Sequence, residues 1–151
     1  MNLTNSLNLP QPFVSAAESD HKYTPKRYSV TTILKGTREA ILQRRHDDEI
    51  TQDVADMVWA IFGSAVHQIL QNAEETATQL KENYIVVDMP NGYQLSGIFD
   101  LYDDSTGTVT DYKTASAWKA VFGSKGDEEL SDWRNQTMIY CWMLRQIGFD
   151  A

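Results

Sequence analysis

The sequence predicts an α+β domain, on three observations. Apolar residues recur at helical spacing in two stretches of the first half. Three short runs rich in β-branched and aromatic residues follow, each bounded by turn residues. A last helical run then closes the chain. The 151 residues suffice for one domain with its own core.

Residues 1–28 are polar, hold three of the four prolines and show no sustained period. They read as an extended or partly disordered arm, with the domain proper at 29–151. "YSVTTILKGTREAILQRRH" opens the first helix. Ser29 or Thr31 can cap it, and Ile33, Leu34, Ile41 and Leu42 recur at helical spacing. Gly36 weakens or bends its first half. A second helix is expected from Thr51 to Glu82, with an inward stripe of Val54, Met57, Val58, Ile61, Ala65, Ile69 and Ala73.

Strands come next. Tyr84–Met89 is the first, "PNG" (Pro90–Gly92) is a turn, and "YQLSGIFDLY" is the second. "TVTDYKT" (Thr108–Thr114) is the third, so the three form an antiparallel sheet. The final helix, "LSDWRNQTMIYCWMLRQIG", aligns Leu130, Trp133, Thr137, Tyr140, Cys141 and Leu144 and ends at Gly148.

The second and third strands each spend a position on an acid, which strand propensity disfavours: Asp100 between Phe99 and Leu101, and Asp111 between Thr110 and Tyr112. Lys113 shares the face of Asp111 by the two-residue strand period. If "DSTG" (Asp104–Gly107) is a four-residue loop, Asp103 pairs with Thr108 and Asp100 lies opposite Asp111. One residue more would put the acids on opposite faces. Two adjacent carboxylates repel unless a cation lies between them, and oxygen ligands of this kind suit magnesium or manganese. A protonated lysine beside such a site does not ligate. It orients a water or stabilises charge developing on a phosphate. Acid, acid and lysine around a hard ion describe phosphodiester hydrolysis; a solvent-facing hairpin with a Lys–Asp pair is the plainer reading of the same residues.

Composition excludes several classes. Cys141 is the only cysteine, so neither an internal disulfide nor a cysteine-ligated cluster is available, and Cys141 is expected to pack as a small hydrophobe. No apolar run approaches the roughly 20 residues of a membrane span, and the N-terminus lacks a signal-peptide pattern, so a cytoplasmic location is expected. The formal net charge of -8 argues against a uniformly basic surface for nucleic acid. Yet Lys22, Lys26, Arg27, Lys35, Arg38, Arg44 and Arg45 face a single acid, Glu39, between His21 and His46. That stretch is either a solvated helix face or a phosphate-tracking patch.

Two further pairs stand at helical i, i+4 spacing: Gly63 with His67, expected on the face away from the apolar stripe, and Gln136 with Tyr140. In order, the chain reads G-x-x-x-H (Gly63 to His67), G-x-x-D (Gly97 to Asp100), D-Y-K-T (Asp111 to Thr114) and Q-x-x-x-Y (Gln136 to Tyr140). This set resembles the PD-(D/E)XK nuclease superfamily and, within it, the RecB-type exonuclease domains. It is similar to a phage and prophage group that shares stretches like "SVTTIL", "RRHDDEIT" and "DYKT".

The resemblance implies a restriction-endonuclease-like core: helices, a three-stranded antiparallel sheet and a further helix. Relatives continue into another strand, which is expected to be missing here, as in a truncated chain or a minimal version of the fold. It also implies that His67, Asp100, Asp111 and the backbone carbonyl of Tyr112 bind one or two magnesium or manganese ions. Lys113 would be the catalytic lysine, with Gln136 and Tyr140 supporting the site or contacting the DNA backbone. Some relatives hold an iron–sulfur cluster on four cysteines, which this chain does not have. The implied activity is a DNA exonuclease serving phage recombination or replication. The implied partners are DNA and a phage single-strand annealing or recombination protein. A homo-oligomer is compatible, since some relatives encircle DNA. The alternative is a nuclease fold that holds DNA or a recombination protein without cutting; the intact Asp100, Asp111 and Lys113 argue against it.

Overall fold

The computed structural model describes residues 2–18, 24–114 and 126–151, with side chains from residue 131 in the last span. Lys22 of the basic stretch and the Leu130 side chain of the expected helix stripe lie outside the described residues.

The segment read as an arm carries regular structure among its described residues. Strand β1 (Asn2–Thr4) is followed by helix α1 (Gln11–Ala17) and strand β2 (Arg27–Ser29). Ser29 then caps α2 (Val30–Leu34) by accepting from the Thr32 N–H at 3.1 Å. Of the two capping candidates, Ser29 is the one used. Gly36 divides the expected first helix, and α3 (Thr37–Arg45) restarts beyond it. Leu34 packs on the core, whereas Ile33, Ile41 and Leu42 are exposed. The basic side of α3 is likewise exposed to solvent.

The second helix is shorter than its expected span of Thr51 to Glu82. Thr51–Asp53 is instead strand β3, paired in parallel with β1. The Asp53 carboxylate accepts from Thr4 Oγ1 and Ser6 N–H at 2.9 Å each, and from Ala55 N–H at 3.0 Å. The last bond caps a 3₁₀ turn, Val54–Met57, that leads into α4 (Val58–Gln71). These donors, Ser6 first, hold the Asp53 carboxyl down at about 2. Helix α1 packs on the 3₁₀ turn and on α4 and buries Ala17. Of the expected stripe, Val54 is buried and Met57, Val58 and Ile61 are half-buried, whereas Ala65, Ile69 and Ala73 are exposed; beyond Ile61 the half-buried face is Gly63, Val66, His67 and Leu70. The Gly63–His67 pair therefore belongs to the inward side of α4, the reverse of the expected facing.

The expected antiparallel strands are present as β4 (Gln79–Met89), β5 (Tyr93–Asp103) and β6 (Thr108–Thr110). Strand β2 adds in parallel to β5, Arg27 opposite Gln94, so the sheet is four-stranded and mixed. Strand β4 begins five residues earlier than its β-branched core suggests. "QLKEN" has no local preference for strand, and pairing with Phe99–Asp103 decides its conformation. The loop register resolves as four residues: Asp103 pairs with Thr108 and Leu101 with Thr110. Gly107, at φ +63, takes the left-handed position that closes this loop. Strand β6 ends at Thr110, and Asp111–Thr114 continue outside the ladder.

Helix α5 (Gly126–Gln146) covers the sheet face that carries Ile85, Val87, Leu95 and Phe99. Tyr140, Met143 and Leu144 are its fully buried contributions, each worth about 1.5–3 kcal/mol of burial. The helix closes on paired bonds, Phe149 N–H to Leu144 O and Gly148 N–H to Arg145 O. Cys141 is half-buried on this helix as a free thiol.

Candidate metal centre

Asp100 is 6 % exposed on β5, the lowest exposure of any acid among the described residues. Its Oδ2 accepts a short hydrogen bond from the Tyr112 N–H, where the chain leaves β6. Desolvation pushes the Asp100 carboxyl above the usual carboxylate range. The charges of Asp111 and Glu82 add to that rise, while the Tyr112 N–H and His67 oppose it.

His67, on the inward face of α4, places Nδ1 3.2 Å from Asp100 Oδ1 and 3.2 Å from Glu82 Oε1. Its ring meets the Tyr112 ring edge-on, centroids 6.2 Å apart. Donor atoms of His67, Glu82 and Asp100 all lie within 4.8 Å of one another. One imidazole and two carboxylates, half-buried to buried, make a donor set that fits a divalent manganese or magnesium ion. Such an ion would offset the desolvation that chiefly raises the Asp100 carboxyl and, with it, the smaller repulsion from Asp111 and Glu82.

Glu82 went unrecognised in the sequence because it reads as the end of a helix. In the structure it is a strand residue with φ +49, a left-handed conformation uncommon for glutamate. Such strain, of order 1–3 kcal/mol, concentrates at functional sites. No local sequence signal marks it: only the pairs Lys81–Leu101 and Asn83–Phe99 on either side of it set Glu82 across from Asp100.

Asp111, with a side chain only 7 % exposed, holds Lys113 Nζ at 2.7 Å. Lys113 also donates to Gln136 Oε1 at 3.1 Å, and Gln136 Nε2 donates to the Tyr140 hydroxyl at 3.4 Å. Thus Asp111, Lys113, Gln136 and Tyr140 form one chain of contacts, and the Asp111 charge lies close enough to Asp100 to help raise the Asp100 carboxyl. The Tyr140 hydroxyl is itself raised, by desolvation first and then by Asp111, Asp100 and Glu82, against the Gln136 bond. The two small residues of the motifs make close approaches possible. A Cβ on Gly97 would meet Tyr140 Cε1 at 2.6 Å and Val30 Cγ2 at 3.1 Å, and one on Gly63 would meet Thr114 Oγ1 at 3.0 Å. Every residue singled out in the four motifs is therefore drawn to one region, where α4, β5, the Asp111–Thr114 segment after β6 and α5 converge.

No curated protein and no solved structure matches the chain. A family model, that of the PD-(D/E)XK nuclease superfamily, matches residues 73–151, more than half of the sequence. The match takes in Glu82, Asp100, Asp111–Lys113, Gln136 and Tyr140 and begins after His67. With acids, lysine and glutamine joined in one site, and the family model over the same strands, the chain belongs to the PD-(D/E)XK nuclease superfamily.

Proposed function

We infer that this protein is a divalent-metal-dependent deoxyribonuclease, a RecB-type exonuclease working on phage or prophage DNA in recombination or replication. The observation that carries the reading is the convergence of His67, Glu82 and Asp100 beside the Asp111–Lys113–Gln136 chain. His67, Glu82, Asp100 and Asp111 would hold the ion, with the Tyr112 carbonyl as the backbone ligand that the resemblance implies. A bound magnesium or manganese ion would supply a water of lowered pKa and neutralise phosphate charge.

The remaining work falls to this chain's own residues. Lys113, fixed between Asp111 and Gln136, presents a positive charge of defined position to a phosphate oxygen or an attacking water. Gln136 orients that lysine, and Tyr140 behind it orients Gln136 while sealing the core over Gly97. Half-burial of the cluster strengthens each of these interactions relative to water. DNA is the substrate, and a phage annealing or recombination protein is the partner that the family resemblance suggests. Among the described residues no helix is long and apolar enough to cross a membrane.

The test is digestion of end-labelled single- and double-stranded DNA with magnesium, alongside a calorimetric manganese titration. Stepwise loss of nucleotides from one end, with metal binding, is the expected result. Metal and DNA binding without cleavage would make this a nuclease-fold binding module, and no metal binding would remove the reading.

A further inference from the structure

The sheet face that carries Asp100 does not end at the metal centre. Strand β5 has no positive-φ residue between Gln94 and Asp100, so Ile98 shares the face of Asp100 by strand alternation. Tyr84 stands directly opposite Ile98 in the β4–β5 ladder, on the same side. Both are open to solvent, Tyr84 at 56 % and Ile98 at 49 %. They lie about 7 Å along the strands from Asp100.

Arg27 borders this pair. Its Nε and Nη2 both donate to Gln94 Oε1, at 2.9 and 2.7 Å, and its Nη1 reaches the Tyr84 hydroxyl at 3.4 Å. The guanidinium is thus tied between Gln94 and the tyrosine hydroxyl, with protons left over. Asp88, the neighbouring acid, accepts from Gln94 Nε2 at 2.9 Å. An aromatic ring, an aliphatic neighbour and a fixed guanidinium, running straight into a phosphodiester-cleaving centre, match the needs of one ligand. A base stacks on the ring while its phosphate meets the arginine. A base inside a duplex has no face free to do so.

The geometry points to Tyr84, Ile98 and Arg27 as a platform for the unpaired bases of a nucleic-acid strand entering the metal centre. The assignment rests on the nuclease reading above and names its substrate as a strand with unpaired bases.

The experiment measures binding of a short single-stranded oligonucleotide carrying 2-aminopurine, and of a blunt duplex, with calcium in place of magnesium. The parent protein should quench the 2-aminopurine and prefer the single strand. Tyr84→Ala should lose most of the quenching and weaken single-strand binding about tenfold or more, with manganese affinity and urea midpoint unchanged. Tyr84→Phe, which keeps the ring, should bind like the parent. Arg27→Gln should lower the salt slope of binding by about one. Unchanged single-strand affinity and quenching in Tyr84→Ala overturns the assignment. So does a change in sedimentation with DNA affinity intact, which would make the face a protein interface. Cleavage by the parent chain tests the nuclease reading separately, since the variant comparison needs no cleavage.

Discussion

Glu82 stands across the β4–β5 ladder from Asp100, and each places a carboxylate oxygen 3.2 Å from the same nitrogen of His67. The pairing predicts an unusual signature for Glu82→Gly. Removing the carboxylate should weaken manganese binding on the order of ten- to a hundredfold, by analogy with changes around other metal sites. Glycine also accepts φ +49 without strain, so stability should rise or hold within about 1 kcal/mol. Calorimetric titration and urea unfolding read the two effects apart. A purely structural Glu82 predicts no change in metal affinity.

Lys113 and Asp111 touch at 2.7 Å but should fail differently. Lys113→Ala should bind manganese and DNA nearly as the parent does and cleave more slowly, by about 3–4 kcal/mol in the barrier. Asp111→Ala should lose metal and activity together. Single-turnover cleavage beside metal titration checks both, and full activity in Lys113→Ala would sink the proposed chemistry.

Gly97→Ala places a methyl group 2.6 Å from the Tyr140 ring and 3.1 Å from Val30. Both neighbours are buried, so neither yields freely. A loss of about 1–3 kcal/mol is expected in urea unfolding. Cleavage should fall as well, because Tyr140 carries Gln136 and, through it, Lys113. Parental stability would show that Tyr140 has room to move.

Asp53 predicts a pH dependence. Its carboxyl is lowered from 3.8 to about 2 in the folded chain, so its contribution is present in full above 3.8 and disappears as pH falls through about 2. Asp53→Ala should therefore have a lower urea midpoint than the parent at neutral pH. The difference should shrink as the two are compared at successively lower pH below about 4. A gap that stays constant into acid would mean that the β1–β3 junction does not depend on this carboxylate.

The sequence by itself determined the hairpin and the chemistry strung along it. The turn residues Pro90–Gly92 and Asp104–Gly107 are local, and the costly acids at Asp100 and Asp111 stand out against strand propensity. So the three hairpin strands and the Gln136–Tyr140 helix side were legible, and the Asp103–Thr108 register was one of the two that the loop residues allowed. What the tertiary structure decided is everything whose partner is remote in the chain. Thr51–Asp53 is a strand only because Asn2–Thr4 lies beside it, and Gln79–Asn83 only because Phe99–Asp103 supplies its hydrogen bonds. The facing of α4 was likewise set by contact: Thr114 and the acids claim Gly63 and His67, leaving Ile69 in solvent although its period favoured the core. Glu82 was invisible for the same reason, since a left-handed residue in a strand without β-branched neighbours has no local signal, only a partner across the ladder. Local propensity spans a few residues and about 1 kcal/mol per position, whereas ladder pairing and burial sum over whole elements and override it.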